Sequence, residues 1–321
     1  MNNNQVDVSV CILTYYHEKY IAQALESVLM QKTKYSYEIV IADDNSKDGT
    51  MNILKEYQLR YPEMIHIIHN DINLGIPRNI FNARCNCHGK YIIALSGDDY
   101  WISERKIDIQ CDFLENNPDY FIVGCSVEAR YDNDTTPFKI YPPRKDAGRE
   151  FTITDYENGK TLSLHGFMMR NVFLNKDNRN YFSIAQQISS TVDDSVDTVL
   201  FLKFGRIFVL EDILNVYRVN RTETGKHNYN SKYTRLEQFR NIIDLFNSMY
   251  GYFGKEISFK RKYTKAYANA ILGALSTKSF KGYREIYLTI PDEYRKPWYS
   301  GVRINAFPII LKEIIQRLSG K

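Results

Sequence analysis

Residues 91–99 read YIIALSGDD, an apolar run that ends in a serine, a glycine and two aspartates. A short apolar run bounded by polar residues is typical of a buried strand. Similar runs lie upstream at residues 8–13, 37–42 and 65–68. The segments between them carry apolar residues at helical spacing and predict helices over residues 19–31, 48–61 and 77–87. The sequence therefore predicts an α/β fold, with a mainly parallel sheet and helices on both faces.

Polar side chains follow three of the predicted strands. In a parallel sheet, ligands bind beyond the carboxyl ends of the strands. The residues found there are Thr14 and Tyr15 after the first strand, Asp43 and Asp44 after the second, and Asp98 and Asp99 after the fourth. Adjacent carboxylates repel each other unless a cation lies beside them, and a divalent cation shared with substrate phosphates would meet that need. Asp43 and Asp44 are equally well explained as helix caps.

The pattern becomes mixed in the middle of the chain. Residues 121–127 indicate a further strand, whereas residues 132–160 are polar and predict a long excursion. Short strands are predicted near residues 162–170 and 206–217, on either side of a helix over about residues 193–204. This part of the chain is expected to form a smaller, mixed portion of the fold.

From about Ser231 the chain shows helical periodicity only. The last segment has an apolar stripe from Ile304 to Leu318, and Pro308 is expected to kink or start that helix. Such a stripe is typical of a helix that packs on its own chain or on a second copy, and also of a helix that lies in a membrane interface. The modest charge favours packing or a homodimer over peripheral membrane contact.

Composition and missing motifs exclude several classes of protein. A formal net charge of +4 over 321 residues argues against a nucleic-acid binder. The five cysteines are expected to be reduced thiols of a cytoplasmic protein, since they are odd in number and some lie in apolar runs. No signal peptide or membrane span is indicated. Dinucleotide, P-loop and serine-hydrolase motifs are absent, and Thr154 stands where a P-loop would need glycine.

The ordered series of motifs resembles a known family. It comprises Val8-Ser9-Val10, Thr14-Tyr15, Asp43-Asp44-Asn45-Ser46, Asn73-Leu74-Gly75, Arg78-Asn79, Gly89-Lys90-Tyr91, Ser96-Gly97-Asp98-Asp99, Asp194 and Tyr217-Arg218. In order and spacing, residues 6–220 resemble the inverting glycosyltransferases of family two, which have the GT-A fold, and in particular those of bacterial polysaccharide and capsule synthesis. Two positions depart from the pattern. Many relatives have asparagine where Tyr16 stands, and the fuller acidic motif has aspartate at Ser96.

The resemblance implies a domain organisation and a reaction. Residues 1–225 would form a GT-A catalytic domain, with a nucleotide-binding half over 1–100 and an acceptor half over 101–225. Residues 226–321 would form a helical C-terminal region. The donor would be a nucleoside-diphosphate sugar, with UDP favoured as the nucleotide, and Mg²⁺ or Mn²⁺ would assist. The acceptor would be a saccharide or a lipid-linked saccharide, which would bring the protein to the inner face of the membrane.

The resemblance also implies roles for single residues. Asp194 matches the position of the catalytic base, with Asp193 and Asp197 as nearby alternatives. Asp99 is expected to hold the metal, and Asp98 to contact both the metal and the ribose. The other donor contacts are expected from Thr14, Tyr15, Asp43, Asp44, Arg78 and Arg218. A structural salt bridge is an equally good explanation of Arg218, and a structural role is favoured for His165 over lining the acceptor site.

Two other functions remain open from the sequence. A nucleotidyltransferase also combines acidic residues, a metal and an α/β sheet, but would usually carry a glycine-rich, basic loop after the first strand, where Thr14-Tyr15-Tyr16 stands. A sugar-nucleotide-binding protein without catalysis is the alternative outside the enzymes. The presence of Asp98, Asp99 and Asp194 favours the glycosyltransferase over both.

Overall fold

The computed structural model describes residues 6–132, 134–160, 162, 164–188, 194–219, 233–277, 280–296 and 301–318. The chain divides into two units. The first contains Met1–Thr152 and Thr161–Arg221, and the second contains Ile153–Lys160 and Thr222–Lys321. The short segment Ile153–Lys160 therefore groups with the C-terminal helices, which its sequence did not indicate.

The strands are β1 Val8–Thr14, β2 Tyr37–Asp43, β3 Ile65–His69, β4 Tyr91–Ser96, β5 Tyr100–Trp101, β6 Tyr120–Tyr131, β7 Lys139–Tyr141, β8 Arg149–Phe151, β9 Met168–Arg170 and β10 Arg206–Val219. The helices are α1 Ile21–Leu29, α2 Thr50–Arg60, α3 Ile76–Cys85, α4 Lys106–Asn116, α5 Ile153–Glu157, α6 Lys176–Phe182, α7 Ala185–Ile188, α8 Asp194–Phe204, α9 Arg235–Phe253, α10 Lys260–Thr277, α11 Lys281–Tyr287, α12 Asp292–Arg295 and α13 Val302–Leu318. Short 3₁₀ turns lie at Arg144–Asp146, Val172–Leu174 and Gly254–Glu256.

The first unit is built on one sheet of ten strands, in the order β3-β2-β1-β4-β9-β6-β10-β5 along its main path. Strand β1 lies parallel to β2 and to β4, and β2 lies parallel to β3. The register places Thr14 opposite Asp43, and Leu13 opposite Ser96. The carboxyl ends of β1, β2 and β4 therefore meet at one edge. The prediction of a mainly parallel α/β sheet is confirmed.

The second half of the sheet is mixed. Strand β9 has only three residues and runs antiparallel between β4 and β6. Strand β10 is a single strand of 14 residues that runs parallel to β6, and β5 pairs with it in the antiparallel sense. The insertion of β9 brings the residues just before it, including His165 and Gly166, close to the ends of β4 and β10.

Several elements differ from the sequence prediction. Residues 132–160 contain β7, β8 and α5, where a long excursion was predicted. Helix α4 was not predicted, because its buried residues include Lys106, Asp108 and Gln110, which interrupt the apolar stripe that a buried helix usually shows. Pro308 lies inside α13, so the alternative that it starts the helix is wrong.

The core of the first unit packs α1 and α4 on the parallel strands. Its fully buried members include Val8, Val10, Ile12, Ile21, Leu25, Ile39, Ile41, Ile93, Ile107 and Leu114. All five cysteines are free thiols; Cys11, Cys87, Cys111 and Cys125 are buried, and Cys85 is half-buried. This agrees with the expectation of reduced cysteines. The core holds the three parallel strands rigidly, so that the polar residues at their ends have fixed positions.

The second unit is helical, as the sequence predicted. Helix α9 begins at a capping box in which Thr234 and Glu237 bond each other's backbone N–H groups. Val302 and Ala306 of α13 are buried, whereas Phe307 and Leu311 on the same helix are 64% and 46% exposed. The side chains of Ile304, Ile315 and Leu318, which the sequence assigned to the apolar stripe, lie outside the described residues. No helix in the described part of the chain is long and apolar enough to cross a bilayer.

Candidate functional site

Two buried polar atoms lack partners where β1 and β2 end. Thr14 and Asp43 are 2% and 0% exposed. Asp43 Oδ2 accepts a hydrogen bond from the Ser46 N–H at 3.1 Å and lies 3.0 Å from His69 Nδ1. Asp43 Oδ1 and Thr14 Oγ1 have no hydrogen-bond partner among the described residues. A buried polar atom without a partner costs free energy, so both atoms are suited to a ligand that supplies one.

Asp44, next to Asp43, faces the other way and shapes a loop. Its Oδ1 accepts hydrogen bonds from the Leu74 N–H at 2.8 Å and from Asn70 Nδ2 at 3.0 Å, and its Oδ2 accepts one from the Gly75 N–H at 2.9 Å. Gly75 has a φ of 77°, a conformation that glycine adopts without strain. The Asp44 carboxylate therefore fixes the start of α3. Arg78, predicted to contact the donor, lies exposed on the first turn of that helix.

The segment after β1 has an unusual backbone at Tyr16. This residue has a φ of 59°, and its N–H donates to Ser46 Oγ at 2.9 Å. The ring of Tyr15 meets that of Tyr16 edge-on, with centroids 4.6 Å apart. Asparagine enters the left-handed region more easily than tyrosine, which gives a physical reason for the asparagine of many relatives. Tyr15 is half-buried and directly follows Thr14, and its contact with the donor stays a prediction.

Asp98 and Asp99 follow β4 but have different surroundings. The side chain of Asp98 is 36% exposed; its Oδ1 accepts a hydrogen bond from Ser96 Oγ, and its Oδ2 lies 3.9 Å from His17 Nε2. Asp99 is only 1% exposed. Its Oδ2 lies 2.9 Å from His165 Nδ1, and its Oδ1 accepts a hydrogen bond from the Arg218 N–H at 2.8 Å. The Asp98 carboxylate is thus open to a ligand, whereas both carboxylate oxygens of Asp99 already have hydrogen-bond partners.

The pKa values of Asp99 and His165 both lie above their ordinary values. Burial is the main reason why the pKa of Asp99 lies above its ordinary value, and the hydrogen bond from His165 acts against that shift. Burial alone would lower the pKa of His165, but the hydrogen bond and the charge of Asp99 raise it to about 9. At neutral pH the imidazole is therefore protonated, and its Nδ1–H donates a hydrogen bond to Asp99 Oδ2. His165 thus belongs to the acidic site, a role that the sequence analysis did not favour.

The charge of Asp194 acts on the same residues as the charges of Asp98 and Asp99. It is the first residue of α8 and is exposed. The pKa of Tyr217 rises to about 12, first through burial and then through the charges of Asp99, Asp98 and Asp194. The ring of Tyr217 lies 4.4 Å from that of His165, whose pKa the three carboxylates also raise. The charges of Asp98, Asp99 and Asp194 thus all act on these two rings.

Of the two alternatives to Asp194 as the catalytic base, Asp197 pairs with a buried arginine. Asp197 Oδ2 lies 2.8 Å from Nη2 of Arg84, and the Arg84 side chain is only 4% exposed. Removal of Asp197 would leave a buried guanidinium without this partner, so Asp197 has a structural role. Asp193 lies outside the described residues.

The guanidinium of Arg218 forms a structural salt bridge. Its Nη1 lies 3.3 Å from Asp132 Oδ1, and its Nη2 donates to Gln23 Oε1 at 2.6 Å. The group lies between the rings of Tyr20 and Tyr100, 4.6 Å and 5.1 Å from their centroids. Of the two explanations that the sequence left equal for Arg218, the structure shows the salt bridge. Asp132, like His17 and Tyr217, received no role from the sequence, because no local pattern marks it.

The acidic residues fit a divalent cation that arrives with a ligand. Mg²⁺ and Mn²⁺ bind carboxylate oxygens, and Asp98 and Asp99 provide them. Within the described residues, no group of three or more His, Cys, Asp and Glu side chains could hold an ion unaided. Mg²⁺ commonly binds one or two carboxylates and completes its coordination with substrate phosphates and water. This pair of aspartates suits that mode of binding.

Comparison with known proteins identifies relatives. EpsE of Bacillus subtilis, named as a glycosyltransferase, is 34% identical over 122 residues, which cover 38% of this chain and 43% of EpsE. TarS of Staphylococcus aureus, a poly(ribitol-phosphate) β-N-acetylglucosaminyltransferase, is 28% identical over 240 residues, which cover 74% of this chain and 39% of TarS. The chain thus spans about two fifths of the length of these curated relatives.

Solved structures share the fold. The structure of S. aureus TarS 1–349 in complex with UDP covers 98% of this chain and 92% of its own, with a TM-score of 0.53 and 17% identity. The mannosyltransferase PcManGT from Pyrobaculum calidifontis, in complex with GDP-Man and Mn²⁺, covers 99% and 89%, with a TM-score of 0.55 and 15% identity. At such identities the likeness concerns the fold alone, and it confirms the predicted GT-A architecture.

The family assignment rests on a sequence match. The family model described as Glycosyl transferase family 2 matches residues 9–176, slightly more than half of the 321 residues. The matched region contains Thr14, Asp43, Asp98, Asp99 and His165. The chain therefore belongs to glycosyl transferase family 2.

Proposed function

We propose that this protein transfers a sugar from a nucleoside-diphosphate sugar to an acceptor hydroxyl, with inversion at the anomeric carbon and with the help of a divalent metal. The observation that carries the proposal is the pair Asp98 and Asp99 directly after β4, at the edge where β1 and β2 also end. Thr14 Oγ1 and Asp43 Oδ1, which have no hydrogen-bond partner in the described part of the chain, lie on the same edge of the sheet. This edge thus offers polar atoms for a nucleoside and carboxylates for a metal, and Asp194, whose charge acts on His165 and Tyr217, offers an exposed carboxylate for proton transfer.

The donor is proposed to lie across the ends of β1, β2 and β4. Thr14 Oγ1 and Asp43 Oδ1 would bind the base or ribose, because they are buried and have no hydrogen-bond partner among the residues that the structure describes. Tyr15, which follows Thr14, and Arg78, which is exposed on α3, would add contacts to the nucleoside. Asp98 would contact the ribose and the metal, since it is the more open of the acidic pair. Asp44 would act indirectly, by fixing the loop before α3.

Asp98 and Asp99 are proposed to hold Mg²⁺ or Mn²⁺. The bound ion would act as a Lewis acid that stabilises the negative charge of the leaving diphosphate. The contribution of the protein is to fix the carboxylates. His165 and the Arg218 N–H hold the two oxygens of Asp99 in place, at 2.9 Å and 2.8 Å. The Mn²⁺ in the structure of PcManGT, which has the same fold, supports this part of the proposal.

Asp194 is proposed to be the general base. A hydroxyl oxygen is a weak nucleophile until its proton is removed. In the proposed step, the acceptor oxygen forms a bond to the anomeric carbon, the bond from that carbon to the diphosphate breaks, and the hydroxyl proton passes to Asp194. A single displacement of this kind inverts the configuration. Asp194 suits the role because it is exposed and because its charge acts on His165 and Tyr217, as the charges of Asp98 and Asp99 do.

The relatives suggest the class of substrates. The name of TarS gives poly(ribitol phosphate) as acceptor and N-acetylglucosamine as the sugar, and TarS structures contain UDP and UDP-GlcNAc. We therefore favour a UDP-sugar as the donor and a cell-surface polysaccharide or its lipid-linked precursor as the acceptor. The GDP-Man complex of PcManGT makes GDP-sugars the second group to test.

A thermal-shift panel of UDP- and GDP-sugars, with and without Mn²⁺, tests the proposed donor. A ligand that binds only the folded protein stabilises it by about 2.7 kcal/mol at 100 times its Kd. For a protein of 321 residues, we expect the matching nucleotide with Mn²⁺ to raise the melting temperature by roughly 4 °C. The shift should be much smaller when EDTA replaces Mn²⁺. A flat response to every nucleotide would contradict the proposal.

We further propose that the exposed apolar residues of α13 join two copies of the chain. Replacement of Phe307 and Leu311 by serine should turn a dimer into a monomer in light scattering, without loss of the helical signal, because both side chains are exposed. Pelleting with anionic vesicles tests the alternative of membrane contact. A parent protein that is already monomeric would contradict the dimer, and pelleting of the parent but not of the variant would assign the residues to lipid.

A further inference from the structure

A lysine is completely buried below the turn that carries His165. Lys106 is the first residue of α4 and is 0% exposed. Its Nζ donates to the carbonyl oxygen of Gly166 at 2.7 Å and lies 3.4 Å from Cys125 Sγ. The ring of Trp101 lies 5.5 Å from the same ammonium group. The carbonyl of Gly166 is therefore the principal oxygen partner of this charge among the described residues.

Packing alone gives no reason for a charge at this position. Transfer of an ammonium group from water to the protein interior is unfavourable, and burial lowers the pKa of Lys106 accordingly. The position at the start of α4 adds to the cost, because the N-terminal end of a helix carries partial positive charge. A methionine would fill a similar volume without either cost. The role of the Lys106 ammonium therefore lies in its hydrogen bond to the Gly166 carbonyl oxygen.

That group accepts hydrogen bonds from three donors: Lys106 Nζ, Gln110 Nε2 and, at 3.6 Å, Cys125 Sγ. Gln110, one helical turn after Lys106, donates from Nε2 to the same Gly166 oxygen at 3.0 Å and to the Val123 oxygen at 3.1 Å. Gly166 itself has a φ of 74°, and a Cβ at this position would come within 2.3 Å of Asn215 Oδ1. Its backbone is therefore confined from several sides, and the orientation of its carbonyl is fixed from below by α4.

The His165–Gly166 turn contacts the acidic site through the His165 side chain. His165 precedes Gly166, and its Nδ1 lies 2.9 Å from Asp99 Oδ2. The other oxygen of Asp99 is bound by the Arg218 N–H at 2.8 Å. Any movement of the His165–Gly166 turn would thus change the orientation of the Asp99 carboxylate.

We propose that Lys106 is a positioning residue for donor binding, which holds the Gly166 carbonyl and so keeps His165 on Asp99. This inference rests on the proposed function, because it takes Asp99 to be a donor and metal ligand. Lys106 does not touch the donor. It acts through the turn, with Gln110 as the second support of the same carbonyl.

The central test is Lys106→Met, studied by calorimetric titration of UDP in the presence of Mn²⁺. Loss of a residue that orients a metal ligand commonly lowers metal affinity or activity by 10–100-fold, and we expect the Kd for UDP to rise about 10-fold. In a His165→Ala background, Lys106→Met should cause no further loss, because the lysine acts through the histidine. Unchanged affinity in the single variant, or an equal loss in both backgrounds, would overturn the proposal.

A matched control separates positioning from general stability. Glu38 is also buried, and it accepts hydrogen bonds from Ser9 Oγ at 2.6 Å and from the His88 N–H at 2.8 Å, near the amino end of β1. Glu38→Gln should lower the melting temperature and leave the Kd for UDP unchanged. Lys106→Met should raise the Kd for UDP without lowering the melting temperature. If Lys106→Met does not fold, Gln110→Met weakens the support of the same carbonyl and should raise the Kd in the same direction.

A measurement without nucleotide keeps this inference separate from the proposed function. In protein with ¹⁵N-labelled histidine, the imidazole N–H of His165 that faces Asp99 should give a downfield proton signal, assigned by its loss in His165→Asn. We expect Lys106→Met to broaden or shift this signal and Glu38→Gln to leave it unchanged. If the parent binds no nucleotide, the proposed function fails while this signal still decides the role of Lys106; an unaltered signal in Lys106→Met would refute that role.

Discussion

Asp99→Asn is expected to remove most of the Mn²⁺-dependent affinity for UDP, with a Kd higher by about 100-fold, at the upper end of the effects seen when a metal ligand is disturbed. Two physical reasons support a large effect. An amide is a poorer ligand for a hard cation than a carboxylate. The amide also has a single acceptor oxygen, whereas Asp99 accepts hydrogen bonds from both His165 and the Arg218 N–H. Calorimetric titration of UDP in Mn²⁺ and in EDTA measures the affinity for UDP and its dependence on the metal.

Asp108→Asn provides the control for this experiment. Asp108 is a largely buried carboxylate of the same unit, and its Oδ1 accepts a hydrogen bond from Thr33 Oγ1 at 2.6 Å, outside the acidic site. Its replacement should lower the melting temperature and leave the Mn²⁺ dependence of UDP binding intact. If Asp99→Asn binds UDP as tightly as the parent, with the same dependence on Mn²⁺, Asp99 is not a metal ligand.

The parallel half of the fold was predictable because its elements carry strong local signals. Strands β1, β2 and β4 are mainly apolar, with Ser9 and Glu38 as polar exceptions near the strand starts, since both faces of each strand are covered. Strand β9 was harder to place, because three residues are too few to show a period. Helix α4 escaped prediction for a different reason. Its buried face contains Lys106 and Gln110, and their partners lie about 60 positions away in the sequence, at Gly166.

The site was predictable to the extent that topology determines it. Residues that follow parallel strands must share an edge, and this rule alone brought Thr14, Asp43 and Asp98 together. The orientation of the side chains could not be predicted in this way. Asp44 points into the loop at Leu74 and Gly75, and a sequence pattern cannot distinguish it from Asp43. These contacts join residues about 30 positions apart.

His165 shows the same limit over longer distances. Its contact with Asp99 spans 66 positions, and the contact of Asp99 with the Arg218 N–H spans 119. Only the packing of β9 and β10 in the sheet brings these residues together. A lone histidine is more often structural than functional, and nothing in Leu164-His165-Gly166-Phe167 points to Asp99, so the sequence favoured a structural role for His165.

Asp194→Asn is expected to reduce sugar transfer by about 10²–10⁴-fold, the usual contribution of a general base, and to leave the Kd for UDP in Mn²⁺ close to that of the parent. Sugar transfer and UDP affinity should respond differently because, in the proposed step, Asp194 receives the proton of the acceptor hydroxyl and does not hold the donor. Transfer of labelled sugar to a cell-surface polysaccharide preparation measures the first quantity, and calorimetric titration measures the second.

Asp197→Asn is the matched control, because Asp197 lies on the same helix three residues after Asp194 but pairs with buried Arg84. Its replacement should lower the melting temperature, since a buried guanidinium loses its partner, and should preserve transfer in the protein that remains folded. Retained transfer in Asp194→Asn together with loss in Asp193→Asn would move the role of base to Asp193. The anomeric configuration of the product gives an independent check, because the single displacement proposed here requires inversion, and a product with retained configuration would rule it out.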